Sequence, residues 1–345
     1  MPRSGNFNVN YRLELSIFRT IKQKVVLCVA LLIIFGIPLV FGHYLIYLFN
    51  FVFIAVIAVM GLNILTGYAG LISIGHGALL AVGAYSSAIL AGYGLPIWLV
   101  IPLAGVATGF IGILVGLPSL RIEGLYLAIA TLAFHMITIY AISHGGSFTG
   151  GFDGLHLARP TFLNTPLKFY YLAAFLVVFF IFLTVNLGRS RVGRALVAIR
   201  DRDVVASTLG INTVYYKLIA FGISAFYAGV AGSLYGYLVN VVSPDHFGVD
   251  VSIQYLAMLI SGGIGTIEGA ILGSVFLTLL PEVMRSAVNA FSAIAPTLGG
   301  SFQLLRGGMY GLIIILFLIF EPRGLSGFWQ RIRNSWETYP YKYHG

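Results

Sequence analysis

Apolar runs of about 20 residues, parted by short polar corners, set the limits on this fold, because a run of that length crosses a bilayer as a helix. The expected spans are roughly 25–42, 44–65, 76–92, 97–117, 124–143, 169–187, 216–239, 252–264, a further run to about 285, and 302–320. The chain is 59% hydrophobic and 9% charged, whereas soluble domains carry about 25% charged residues. The expectation is an all-α polytopic membrane protein of about ten transmembrane helices. Cys28 is the single cysteine, which excludes an internal disulfide. The first apolar run follows a polar lead, and no small-residue cleavage pattern closes it. It is therefore read as a retained helix and not as a signal peptide.

Charge sets the expected orientation. Residues 1–24 carry Arg3, Arg12, Arg19, Lys22 and Lys24 against Glu14, and 188–217 carry Arg189, Arg191, Arg194, Arg200, Arg202 and Lys217 against Asp201 and Asp203. Basic loops stay on the cytoplasmic side. Six crossings from a cytoplasmic N-terminus return the chain inside at 188–216, so the two signals agree. Loop 240–251 has Asp245 and Asp250 without Lys or Arg, as expected outside. The expected organisation is a cytoplasmic basic segment 1–24, a transmembrane domain 25–320 with a cytoplasmic loop 188–216, and a cytoplasmic tail 321–345. In a membrane protein the basic excess reports orientation and lipid contact and not nucleic acid.

Two stretches depart from plain spans. Gly61–Tyr85 holds Gly61, Gly67, Gly70, Gly75, Gly77 and Gly83 together with Asn63, Thr66, Tyr68, Ser73 and His76. Gly262–Gly269 repeats the theme around Thr266 and Glu268. Most of the 42 glycines serve helix packing, but here they cluster with polar side chains. Irregular backbone at membrane depth is tolerated only where protein buries it or where it lines a watery path. Paired broken helices in two halves of a chain point to a transport site. Asn63, Tyr68, Ser73, His76, Thr266 and Glu268 are therefore the candidate path or gate residues. The alternatives are hydrogen bonding to freed backbone for Asn63 and Tyr68, packing for His76, and a helix N-terminus for Glu268. His135 is read as structural.

Catalytic patterns are missing. There is no H-E-x-x-H and no G-x-x-x-x-G-K-[ST], and Leu71-Ile72-Ser73-Ile74-Gly75 lacks the first glycine of a serine elbow. The histidines have no metal-ligand spacing, and no cofactor is expected. Proton-coupled carriers need a relay of titratable groups in the membrane, and this chain has few. A channel or secondary carrier acting alone is the rival class. In loop 188–216 the apolar residues Val192, Leu196, Ile199, Val204, Val205 and Leu209 fall at roughly helical spacing, ending at Gly210. Such a helix lies on the bilayer or docks into a groove on a soluble partner.

Five stretches together resemble one family: GLNILTGYAGLISIGHGALLAVGAY, GLPSLRIEGLYLAIATLAF, GRSRVGRALVAIRDRDVVASTLGINTVYYKLIAF, YLAMLISGGIGTIEGAILGSVFLTLLPE and EPRGL. They are similar to the LivM-type permease of branched-chain amino acid ABC importers, over about 60–325. The resemblance implies an inner-membrane permease subunit with the ABC importer permease fold. Its implied partners are a second homologous permease, two cytoplasmic ATPases and an extracytoplasmic binding protein. It also implies an ATPase-coupling helix in the central loop, placed here on Arg194, Arg200, Asp201, Asp203 and Gly210. Urea, short amides or other amino acids are the alternative cargo.

Overall fold

The computed structural model describes residues 42–292, apart from positions 119–121, 123, 161–162 and 164. It also describes a helix over 324–337 and isolated positions within 34–38 and 308–319. The basic segment 1–24 and most of the expected first and last spans lie outside the described residues.

The described chain is helical almost throughout. Its elements are α1 (His43–Leu62), a π-turn (Asn63–Tyr68), α2 (His76–Gly92), α3 (Ile97–Gly116), α4 (Leu125–Ser143) and α5 (Pro166–Arg189). Then follow α6 (Arg191–Asp201), α7 (Asp203–Thr208), α8 (Thr213–Val239), α9 (Val249–Gly262), α10 (Ile267–Ser292) and α11 (Gly324–Glu337). Among the described residues, six stretches are long and apolar enough to cross a membrane: His43–Tyr68, Ile97–Gly116, Leu125–Ser143, Pro166–Arg189, Thr213–Val239 and Ile267–Ser286. Helices α2 and α9, at 17 and 14 residues, are shorter. Each of the two borders one glycine-rich break.

Helix α8 is the central element, packed by α1, α2 and α3. Its buried positions are rich in Ser, Ala and Gly, including Ser224, Ala228, Gly229, Gly232 and Gly236. Lipid supplies no hydrophobic drive between helices, so close approach of small residues provides the packing. The α2–α8 crossing shows the limit of that approach. A Cβ on Gly83 would lie 2.3 Å from Gly229 O, and one on Gly232 would lie 2.0 Å from Leu80 O. Helix α1 packs against α5 and α10 as well, and α9 forms a hairpin with α10.

The two ends of the bundle differ. At one end, a short antiparallel bridge pairs Leu155 with Val242 and His156 with Val241. There Arg159 donates to the carbonyls of Tyr237 and Leu238, capping the C-terminus of α8, and its guanidinium stands 5.0 Å from the Phe169 ring centre. A cation at a helix C-terminus complements the dipole. The opposite end gathers both glycine-rich breaks, α6, α7 and the start of α11.

Candidate functional site

The first break begins where α1 widens into the π-turn, all of it buried. Such bulges insert a residue into the helical ladder and concentrate at functional sites. The chain then runs without helix through residues 69–75, and this backbone is satisfied from several sides. Leu71 N–H donates to Leu65 O at 3.1 Å, and Thr66 Oγ1 donates to Leu71 O at 3.1 Å. Ile74 N–H reaches Thr131 Oγ1 at 3.0 Å, and Gly75 N–H reaches Ser73 Oγ at 3.3 Å. Satisfied backbone is the condition for an irregular segment inside a membrane protein.

The second break lies between α9 and α10. Thr266 caps α10: its Oγ1 accepts from Gly269 N–H at 3.1 Å and donates to Gly263 O at 2.9 Å. Gly265 has φ +82°, a conformation that favours glycine.

Asn63 fastens one break to the other. Its Nδ2 donates to Thr266 O at 3.1 Å, and its Oδ1 accepts Gly265 N–H at 2.8 Å. Asn63 is wholly buried. Gly67 sits against the same backbone, and a Cβ there would lie 2.7 Å from Gly265 N. Two segments some 200 positions apart are thus in backbone contact.

Arg200, on α6, closes the junction from outside. Its Nη1 donates to Gly67 O at 2.7 Å. Its side chain crosses Gly70, where a Cβ would lie 2.8 Å from Arg200 Cγ, and its guanidinium lies against Gly265. Asp201 Oδ1 stands 3.2 Å from Arg200 Nη2. This pair is solvent-exposed and orients the guanidinium more than it stabilises the fold.

The central loop forms two helices, α6 and α7, broken at Arg202, where the backbone is extended (φ −157°). Ser190 caps α6 by accepting from Gly193 N–H at 3.2 Å. The inner face of α6 buries Ala195, Leu196 and Ile199. Asp203 opens α7 and pairs with Lys217 of α8 at 2.6 Å, with the lysine side chain 7% exposed. Val204, Val205 and Leu209 point outward, at 76%, 51% and 75% exposure, and Gly210 turns the chain with φ +82°. Arg194 is exposed and donates to Arg189 O at 2.7 Å.

His76 belongs to a different cluster. Its ring Nε2 lies 2.9 Å from Ala58 O, and because a carbonyl only accepts, Nε2 carries the proton. Ala58 precedes Asn63 by five residues, about 7.5 Å along α1. Ser252 Oγ accepts Gly77 N–H at 2.8 Å and stands 3.2 Å from His135 Nδ1. His76, His135 and Ser252 are all buried.

Of the residues singled out in the sequence, the structure brings Asn63, Thr266 and Arg200 into one unit. Tyr68 borders it, with its hydroxyl 3.3 Å from where a Cβ on Gly188 would lie. Ser73 and His76 sit apart from it, and Glu268 is exposed in the first turn of α10. Lys217, Thr131 and Ser252 were not singled out. Lys217 stood in the charged loop, but its pairing with Asp203 depends on the tight turn between α7 and α8.

These features define a multi-pass helical membrane protein with two interlocked breaks beneath a polar loop. A family described as "Branched-chain amino acid transport system / permease component" matches residues 44–318. The chain belongs to this family of transport permeases. It is 32% identical over 335 residues to the high-affinity branched-chain amino acid transport system permease protein LivM of Escherichia coli, covering 89% of this chain and 75% of that protein. It is 33% identical over 145 residues to the corresponding permease protein LivH of Salmonella typhimurium, covering 42% of each chain. It is 29% identical over 204 residues to the autoinducer 2 import system permease protein LsrC of Salmonella typhi, covering 56% of each. No solved structure matches.

Proposed function

We propose that this chain is the membrane-spanning subunit of an ATP-driven importer of branched-chain amino acids and works by alternating access. ATP is hydrolysed by two separate cytoplasmic ATPases. A second homologous permease completes the pore, and an extracytoplasmic binding protein delivers the cargo. The chain itself carries no ATPase site. It crosses the inner membrane about ten times with both termini cytoplasmic, so the α6–α7 end faces the cytoplasm.

The observation that carries this reading is Arg200. It stands on the loop that meets the ATPase, and it holds the carbonyl of Gly67 at the point where the two breaks touch. The exposed Val204, Val205 and Leu209 form an apolar knob for a groove on the ATPase, and the Asp203–Lys217 pair ties that knob to α8. Motion of the knob is passed through α6 to Arg200 and from there to both breaks. Asn63 and Thr266 keep the breaks in register, Tyr68 walls the junction, and Glu268 flanks its mouth. Ser73 and His76 hold the upper part of the first break in place.

Charge reversal across Arg200–Asp203 tests the assignment. Loss of ATPase association or of leucine uptake is expected, and persistence of both would exclude it. The substrate is assayed separately. Labelled leucine, isoleucine and valine are the expected cargo, with urea as the contrast. Autoinducer 2 is a second contrast, because a permease of that import system is 29% identical to this chain over 204 residues.

A further inference from the structure

Helix α11 lies beyond the matched family region, which ends at residue 318. Among the described residues its buried positions are the small ones, Gly324, Ser326 and Gly327, and it packs on α9 and α10. The contact at its start is backbone on backbone. Gly324 has φ +65°, and a Cβ there would lie 2.7 Å from both Gly263 N and Ser261 O, inside the second break. Phe328 and Trp329 of α11 are turned away from the protein, 56% and 50% exposed. Leu325, Phe328 and Trp329 recur at i, i+3 and i+4, and in the sequence Ile332 and Trp336 continue the stripe at i+7 and i+11.

Three observations say what covers that stripe. The apolar run of the last expected span stands immediately before α11, and its described residues Leu312, Ile315, Leu316 and Ile319 are exposed. Only Glu321-Pro322-Arg323 separates that run from the helix, so the apolar stripe begins at the boundary of the bilayer. Trp and Phe with Arg on one helix suit the headgroup layer. The tail 321–345 carries Arg323, Arg331, Arg333 and Lys342 against Glu321 and Glu337, an excess of base that complements anionic headgroups.

We infer that α11 lies in the membrane surface, binds anionic lipid headgroups, and passes that binding to the second break through Gly324. The lipid contact stands independently of the function proposed above. The consequence for transport rests on that function, because the break it touches is half of the gate. Lipid composition then sets how firmly the gate is held.

The test uses the full chain with Trp98→Phe, leaving Trp329 and Trp336 as the fluorophores. It is placed in vesicles of equal parts phosphatidylcholine and phosphatidylglycerol, with bromine on the upper acyl chain of one lipid at a time. Brominated phosphatidylglycerol is expected to quench at least about twofold more than brominated phosphatidylcholine. Arg331→Gln with Arg333→Gln is expected to equalise the two while overall quenching remains. Equal quenching before substitution overturns the anionic preference. Absence of quenching overturns the lipid contact and assigns the stripe to a protein partner. Hydrogen exchange over 259–267 reads the transmission: slower exchange in phosphatidylglycerol is expected, and identical exchange in both lipids overturns it. None of these readouts involves transport, so failure of the gate assignment leaves the lipid result standing.

Discussion

The stretch 61–85 is continuous in sequence but divides into two regions with opposite characters. Its lower part, around Asn63 and Gly67, bonds to a distant backbone and is reached by Arg200 from an exposed helix. Its upper part, around His76 and Gly77, bonds to Ala58, Ser252 and the neighbourhood of His135 and is sealed from solvent. Both regions satisfy freed backbone groups with side chains. Only the lower one is wired to the loop. Polar residues in this broken helix therefore fall into two kinds, those bonded only within the bundle and those joined to a distant break and reached from the loop.

Four substitutions separate the kinds, and the largest effect is expected at Arg200. A charged hydrogen bond contributes about 1.5–3 kcal/mol, toward the low end for a partly exposed side chain. Arg200→Glu removes that bond and sets a carboxylate against Gly67 O, so leucine uptake should fall about 100-fold. The amount of chain in the membrane should stay unchanged, because no core contact is lost. Next is Asn63→Ala, which strips two bonds, leaving Gly265 N–H without its acceptor and Thr266 O with Ala270 N–H alone. A loss of about 1–3 kcal/mol in thermal or denaturant stability is expected, together with reduced uptake. Ser252→Ala, in the sealed region, should cost about 1–2 kcal/mol of stability. Uptake per folded molecule should match the parent, and a larger drop in uptake than in folded protein would put the sealed region on the path. The smallest effect belongs to Glu268→Gln: an exposed carboxylate at a helix start contributes about 0.3–1 kcal/mol, so uptake should change less than about fivefold.

Much of this architecture is readable from residues. The two glycine clusters mark both breaks, and the apolar spacing from Val192 to Leu209 marks the loop helices. Asn63 and Thr266 stand out because each is a polar side chain beside glycine in an apolar run. The rest depends on geometry that periodicity does not carry. The π-turn at Asn63–Tyr68 ends the regular ladder of α1, and the non-helical segment 69–75 then carries His76 back alongside Ala58. Proximity in sequence between His76 and Gly67 therefore misleads about proximity in space. The helical pattern in the loop does not foretell the break at Arg202, which separates Arg200, facing the junction, from Asp203, facing Lys217. The spacing of Leu325 to Trp336 declares α11 amphipathic. That its small residues rest on the second break follows only from the fold.

The central claim is that Arg200 transmits ATPase motion to the joined breaks. The direct measurement is the number of leucine molecules imported per ATP hydrolysed, in vesicles holding the full complex, with Arg200 or with Arg200→Ala. The account predicts that the substituted complex still hydrolyses ATP while its leucine-to-ATP ratio falls about tenfold. An unchanged ratio would contradict it.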